Sequence, residues 1–586
     1  MKAKQVILLG FVFLLMFALC AFLGQIGAGL LLLKLFDLPL SDIRPNTYMQ
    51  YVMYYGFDSS IKKPLGFATA IAAGLPALAA LFVLIGVLPS NAKKMKAIHG
   101  EARFTTLSEL KKHKLLLDAE GDNKSKREYP PVLLGKYKGK FIADYSQLYT
   151  SVAAAPGAGK GVGFVIPNLL MYPHSCVVMD PKKENWSITA GFRSAILKQD
   201  CFLFAPDADA ASGYCSHRWN PLDYVSEDEI ERLASVKRIT TILIQAPEGE
   251  NQSFYLGAQD LVNGLIMFLV ETESLERNFK EVLRLMRHEM GLENWIKAAV
   301  KQHRSNLSDD TVGLLLGYAN NENPKGRDSI KSITLSALSV FDTKTVAEAT
   351  RYSDFRFEDL RRKRISIYVG VSPPSIGVYQ RLLNLFFSQC IVVNTQTLPE
   401  SATKKDPLPY QCLLMLDEFP ALGKVDIIRT SSGYTRGYNM RYALIYQNRS
   451  QLEDNALYGR EGASSLLETM HNELLLSTDN HQDAKDYSER LGNTTFIEHT
   501  RSNSSGKSSS VTRGKQHHSR ALMLPQEIIN MPDQDAIIFK MGLHPIKAEK
   551  IYWYKDKFFK DRGNLPLPKV PKLIKKPEKE QPHATA

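Results

Sequence analysis

Two short stretches of the 586-residue chain carry the residue types that bind and cleave a nucleoside triphosphate. In A-A-P-G-A-G-K-G (154–161), an apolar, β-prone run enters a glycine-rich turn with a lysine. It leaves through V-G-F-V-I-P-N-L-L, the pattern of strand, phosphate loop and helix. Pro156, Gly157, Ala158, Gly159, Lys160 and Gly161 form the candidate nucleotide-binding loop. Its backbone N–H groups close around phosphate oxygens, the helix N-terminus adds a favourable dipole, and Lys160 neutralises the β- and γ-phosphates. Roughly 250 residues later, L-L-M-L-D-E (413–418) delivers two carboxylates to a strand end. There Asp417 suits a magnesium ligand and Glu418 a base that orients water. The pair of stretches, in this order, implies ATP with Mg2+ as ligands.

Other residues join this set by position. Gln447 ends the next apolar run, Y-A-L-I-Y-Q, either as an amide that senses a γ-phosphate or as a hydrogen-bonded strand-end amide. Arg436 lies between Glu418 and that run and is either the candidate arginine finger for a neighbouring subunit, with Arg429 and Arg441 as competitors, or an ordinary surface arginine. Asp180, in V-V-M-D-P-K-K-E, ends the strand after the phosphate loop, either as a site group or as a turn-forming Asp-Pro. Gly161 stands where a Ser or Thr hydroxyl often meets magnesium, and water is its substitute. His517 and His518 have no acidic or cysteine partners nearby and read as solvated.

The elements that position these residues begin with an anchor. Residues 5–33 carry one polar side chain, Gln25, and 67–88 form a second uncharged run, each long enough to cross a bilayer. Lys2 and Lys4 before the first run, and Lys93, Lys94 and Lys96 after the second, put both flanks on the cytoplasmic side of the membrane. Residues 34–66 then face outward, which is a periplasmic loop if the membrane is a bacterial inner membrane. Six scattered cysteines without C-x-x-C pairs read as reduced thiols of a cytoplasmic body. The formal charge of +12 is no argument for nucleic acid by itself. Residues 496–520 hold five Lys/Arg against one Glu and 560–586 seven against three acids, leaving +4 for the rest.

Residues 93–131 are polar and helix-prone and read as a stalk or linker. From Val132, short apolar runs alternate with helical segments, predicting an α/β fold with buried parallel strands over 132–224 and 346–558. Between them, 225–345 has helical periodicity and no nucleotide motif, which predicts an all-helical insertion opened by a Ser226/Glu229 capping box. The Ser-rich stretch 502–510 reads as a flexible loop, and the Pro/Lys-rich tail 559–586 as disordered.

The phosphate loop, D-P-K-K-E, W-N-P-L-D, L-D-E-F-P-A-L-G (416–423), Q-N-R-S-Q-L and R-A-L-M-L-P-Q-E-I together resemble the TraG-like coupling proteins of type IV secretion and conjugation. The resemblance runs from about residue 150 to 527, with two anchoring helices in front. It implies a RecA-like P-loop ATPase that assembles as a hexamer. Such a motor receives a relaxase with its single-stranded DNA, or effector proteins, and hands the cargo to channel components. The insertion would recruit that cargo. In this family a glycine commonly follows the loop lysine, as Gly161 does here. The family pattern usually reads D-P-K-G-E where Lys183 stands, so that turn is expected to differ. Two rivals remain on the sequence alone. An FtsK-like DNA translocase would need a winged helix where the chain has its Pro/Lys tail, and a non-hydrolysing nucleotide-dependent receptor draws on Gly161.

Overall fold

In the computed structural model, residues 3–87, 100–117, 128–504 and 510–574 are described, and they divide into two units, Met1–Ile98 and His99–Ala586. The first unit is built on the apolar runs, which form the helices Ala3–Leu35 and Lys62–Val87. Leu32 and Ala28 of the first pack on Leu65 and Ala68 of the second. Two further helices of the chain, Gln252–Glu271 and Pro373–Asn394, are also long and apolar enough to span a bilayer. Their apolar windows are 61% buried inside the protein, against 17% and 22% for the first pair, so they are core helices. The loop between the first pair holds a helix of its own, Thr47–Tyr55, where Tyr48 Oη donates to Thr69 Oγ1 at 3.0 Å and Tyr51 stacks on Phe36.

The second unit is organised around one eleven-stranded sheet. In spatial order its strands are β2 (Lys140–Asp144), β1 (Val132–Tyr137), β13 (Ile546–Glu549), β12 (Asp535–Lys540), β9 (Asn472–Ser477) and β3 (Thr150–Ala154). They continue with β8 (Met440–Tyr446), β7 (Cys412–Leu416), β4 (Ser175–Met179), β6 (Ile365–Val369) and β5 (Asp200–Phe204). From β9 to β5 every pairing is parallel, and these strands are almost wholly buried, as their unbroken apolar runs require.

The first two strands correct the expectation of parallel pairing. β1 and β2 are joined by Lys138 and Gly139, both at positive φ, and a two-residue turn of that kind can only produce an antiparallel pair. β13 and β12 extend this antiparallel edge to β9.

Between β5 and β6 the chain forms only helices, from Glu229–Leu243 through Lys344–Ala349. The first is capped by Asp228, which accepts from the N–H of Ile230 and Glu231 at 2.8 and 3.3 Å, rather than by Ser226 as expected. Ser226 instead accepts from the N–H of Asp228.

Three terminal or linking segments differ from the sequence reading. Residues 100–117, expected as part of a stalk, lie on the body. Leu110 and Leu115 enter its core, and Thr105 donates its N–H to the Pro545 carbonyl at 2.8 Å. The tail expected to be disordered from 559 onward is packed as far as 574. Its Leu565 carbonyl lies where any side chain at Gly191 would sit, and Leu573 is buried against the core. The apolar residues spaced between its prolines drive that docking, and 575–586 lie outside the described residues.

The Ser-rich stretch is framed by strands. β10 (Asn493–Ser504) and β11 (Ser510–Ala521) pair antiparallel as a separate two-stranded ribbon, so 502–504 and 510 are strand, while 505–509 lie outside the described residues.

Candidate nucleotide-binding site

The parallel register aligns the carboxyl ends of the central strands. Ala153 of β3 is level with Tyr446 of β8, Leu444 of β8 with Leu416 of β7, and Leu416 with Met179 of β4. One step further on, the phosphate loop, Gln447, Asp417 and Asp180 share one crest of the sheet, where ligands of open α/β sheets bind.

After β3 the chain turns sharply, with Gly157 and Gly159 at φ near +80°. These angles strain any residue with a Cβ, which explains two of the loop's glycines. A Cβ at Gly161 would meet no atom within 4 Å, so that glycine leaves open space rather than filling a steric need. The chain then enters a wide turn over Gly161–Val165 and the short helix Ile166–Leu169. The buried Asn168 amide accepts from Leu133 N–H at 2.7 Å and donates to the Leu133 and Phe164 carbonyls, tying this helix to β1.

Lys160 reaches across the end of β8 to β7. Its Nζ lies 3.2 Å from Asp417 Oδ1 and donates to Glu418 Oε1. Gln447 Nε2 lies 3.3 Å from Glu418 Oε2. Glu418 itself adopts a left-handed conformation (φ 62°, ψ 49°), which turns its side chain back over the strand end. Asp417 Oδ1 is buried and makes no well-oriented hydrogen bond. Burial raises the Asp417 carboxyl above its ordinary range, and Lys160 counters that rise. A buried carboxylate oxygen without a hydrogen-bonded partner, beside a lysine and facing a positive-φ glycine turn, is a donor set that fits a phosphate chain with a hard divalent cation.

Around these groups lies a cavity of about 650 Å³, lined on its far side by Asp180, Lys182, Pro373, Ile376 and Ala421. Asp180 is both a site wall and a cap: its carboxylate accepts from the N–H of Asn185 and Trp186 at 3.2 and 2.8 Å, at the start of the helix Glu184–Ala195. Burial pushes it up to about 7, with those N–H groups opposing and the Asp417 charge adding to the rise. Lys183, standing where a D-P-K-G-E pattern would put glycine, adopts the left-handed φ of 57°.

The sequence-predicted loop residues, Lys160, Asp417, Glu418 and Gln447 are thus brought together. Arg436 is not: it lies in a turn before β8, at the opposite end of the strands, with its guanidinium 5.5 Å from the Tyr149 ring. Arg441 is fully buried and bonded to Asp144, which removes it as a finger for a neighbouring subunit. Arg429 is paired at 3.6 Å with Asp426 on its own helix. One residue escaped sequence reasoning altogether. Lys550, just past β13, donates from Nζ to the Ala158 carbonyl at 3.0 Å and braces the phosphate loop across nearly 400 residues of chain. No local signal marks a lysine in K-A-E-K for that role.

The family model described as type IV secretory system conjugative DNA transfer matches residues 103–576. The conjugal transfer protein TraG of Escherichia coli is 24% identical, over 76% of this chain and 74% of its own length. Protein VirD4 of Rhizobium radiobacter is 27% identical over 73% of this chain, a match that spans 61% of the VirD4 length. Among solved structures, the conjugative coupling protein TrwB, in its unbound form and with the ATP analogue ADPNP, superposes with a TM-score of 0.54 at 14% identity. These superpositions cover 79% of this chain and 95% and 96% of the two TrwB chains. A third TrwB structure, with ADP and Mg2+, gives 0.53 over 82% of this chain and 97% of its own. At that identity the likeness is one of fold.

Proposed function

Because the chain belongs to the type IV secretory conjugative DNA transfer family, we propose that it is the membrane-anchored ATPase that couples a transfer substrate to its secretion channel. The observation that carries this reading is the meeting of Lys160 with Asp417 and Glu418 across the end of β8. Relatives described as conjugal transfer proteins, and a fold neighbour solved with ADPNP and with ADP and Mg2+, support it.

In this reading Gly157, Ala158, Gly159 and Gly161 offer backbone N–H groups to the phosphates of ATP, and Lys160 leaves its carboxylate partners to neutralise them. Asp417 is the protein ligand for Mg2+, which when bound screens the phosphate charge. The open space beside Gly161 admits a water in place of a Ser or Thr hydroxyl. Glu418, released from Lys160 and held by Gln447, takes the proton of the attacking water, and Gln447 senses whether the γ-phosphate is present. Arg436 serves a neighbouring subunit of a homo-hexamer.

The two apolar helices hold the chain in the bacterial inner membrane with both termini cytoplasmic. The helical insertion receives the relaxase with its single-stranded DNA, or effector proteins, and the anchor meets channel components. ATP turnover by the full chain in detergent, with and without single-stranded DNA, tests the reading. Turnover that requires Mg2+ and rises with DNA is expected, and a nucleotide bound but never cleaved in either condition would leave only a nucleotide-dependent receptor.

A further inference from the structure

The loop between the two apolar helices of the first unit does not have the make-up of a loop in water. From Pro45 to Phe57 it contains no Asp, Glu, Lys or Arg, and it holds four tyrosines, two methionines and Phe57. Its helix, Thr47–Tyr55, gives one face to the anchor. Tyr48, Tyr51 and Val52 pack on the cluster of Ala28, Leu32, Leu65 and Ala68, and Thr47 is buried. Met49 and Met53, one turn apart, lie on the opposite side at 44% and 74% exposure, with Gln50 as the polar residue between them. Phe57, fully exposed, continues their row just past the helix end.

The position of this helix along the anchor follows from its contacts. A Cβ on Gly29 would come within 3.1 Å of Ile43 Cδ1 and 3.2 Å of Thr47 Cβ, so the loop approaches the first apolar helix as closely as a glycine permits. Gly29 lies four residues inside the end of the first apolar run at Leu33, about 6 Å at the helical rise. Tyr48 Oη reaches Thr69 Oγ1 at 3.0 Å, and Thr69 is likewise inside the second run, 67–88. Tyr51 stacks on Phe36, just beyond the end of the first helix. The segment therefore dips below the ends of the apolar runs at Ile43 and Thr47, then climbs out along the anchor through Tyr51.

The flanking charges limit the depth. Asp42 and Arg44 bracket Ile43 at the bottom of the dip, and both are exposed. Such residues are excluded from the hydrocarbon centre but tolerated at the interface, where an arginine stem lets the guanidinium reach phosphate level. In water, the uncharged face of Met49, Met53 and Phe57 would invite association. At the level set by Gly29 and Thr69, an anchor in a bilayer is surrounded by headgroups and upper acyl chains. Tyrosines concentrate in that layer, and an amphipathic helix buries its apolar face about 5–10 Å into it.

We propose that the helix Thr47–Tyr55 is an interfacial membrane helix, with Met49, Met53 and Phe57 against the lipid of the leaflet on the loop side. The proposal rests on the membrane-anchor reading above and adds to its two spans a third segment bound to the bilayer. Because the helix is clamped to Gly29 and Thr69, it fixes the depth at which both spans sit, as interfacial anchors do.

The test uses the unaltered full chain in nanodiscs of phosphatidylethanolamine and phosphatidylglycerol, exposed to hydroxyl radicals generated in the water phase. Methionine oxidation is followed by mass spectrometry, with Met290 and Met541, exposed in the second unit, as internal references. Met53 is the most exposed of these side chains within the protein itself, so a helix in water would oxidise there at least as fast as at the references. Lipid cover should make Met49 and Met53 several-fold slower than both. Oxidation of Met53 at the rate of the references would overturn the proposal.

A second arm identifies what covers the face. The photo-crosslinking residue p-benzoylphenylalanine replaces Met53, or, as a control, the exposed Ser59. In nanodiscs and in cell membranes, position 53 should yield lipid adducts and position 59 should not. Adducts to a second copy of the chain or to another polypeptide, in place of lipid, would overturn the proposal and give the face to a protein. Release of the full chain from membranes by alkaline carbonate would sink the membrane-anchor reading itself, and the proposal with it.

Discussion

At the carboxyl ends of β3, β7 and β8 buried charge is left incompletely matched, whereas around Asp144, at the amino end of β8, it is saturated. Asp144, 2% exposed, accepts from Arg441 Nη2 at 2.8 Å, Lys540 Nζ at 2.9 Å, Asn472 Nδ2 at 2.9 Å and Ser146 Oγ at 2.7 Å. Burial alone would raise its carboxyl, but Arg441 and Lys540 outweigh burial and hold it below the ordinary value. Asp417, at the other end, has one oxygen with no hydrogen bond and a carboxyl raised by burial. The contrast separates two uses of buried charge. Where the chain supplies every partner, the charges fasten β2, β8, β9 and β12 to one another. Where it withholds some, a ligand supplies them.

The largest expected effect asks whether the saturated end takes any part in catalysis. Acting across a subunit boundary, Arg436 should contribute on the order of 10³–10⁵ in rate, so Arg436→Ala should lose nearly all ATP turnover. Mixing that variant with Lys160→Ala subunits should restore part of it, because some junctions then pair an intact loop with an intact arginine. Turnover close to the unaltered protein's would leave Arg436 as packing on Tyr149 and the amino end purely structural.

At the unsaturated end, Glu418→Gln keeps shape and loses the proton acceptor. Hydrolysis should slow by about 10²–10⁴ while ATP stays bound, measured as single-turnover cleavage against retained nucleotide. A fall of less than a few-fold would assign the base to another residue.

The converse substitution belongs to the saturated end. Arg441→Met strips Asp144 of one buried partner, which should cost about 3 kcal/mol of stability, seen as an earlier melt. Nucleotide affinity of the folded fraction should not change, and a large loss of affinity would mean that the two ends are not independent.

The smallest effect is a pH dependence. Asp180, raised to about 7 in the folded protein from an ordinary 3.8, binds its proton more tightly folded than unfolded. Its contribution is therefore fully present below pH about 4 and is lost as pH rises through about 7, amounting to a few kcal/mol at most. Asp180→Asn should flatten that part of the melting-temperature profile, and a profile parallel to the unaltered protein's would mean that Asp180 is ionised throughout.

The unsaturated end was legible in the sequence because its parts are local. A glycine turn after an apolar run and a carboxylate pair after another each carry their signal within eight residues, and parallel pairing of such runs brings their ends together. The nine strand segments from β1 to β9 were visible as apolar runs for the same reason. What escaped depends on distant partners. Lys550 on Ala158, Leu565 against Gly191, and Leu110 in the body core are contacts between segments hundreds of residues apart, and nothing in the neighbouring residues announces them. The β10–β11 ribbon escaped because its composition is that of a loop, and only the backbone register shows it as a strand pair. Arg441 misled because a buried arginine and an exposed one look alike until Asp144 is found beside it.

We infer that the carboxyl ends of β3 and β7 form one nucleotide site closed by Lys160. Its most direct test compares ATP affinity, ATP turnover and melting temperature of the full chain with those of Lys160→Ala. Turnover and most affinity should be lost while the folded protein and its membrane insertion persist, since Asp144 and its partners hold the strands together without the lysine. Turnover equal to that of the unaltered protein, in a folded Lys160→Ala variant, would contradict it.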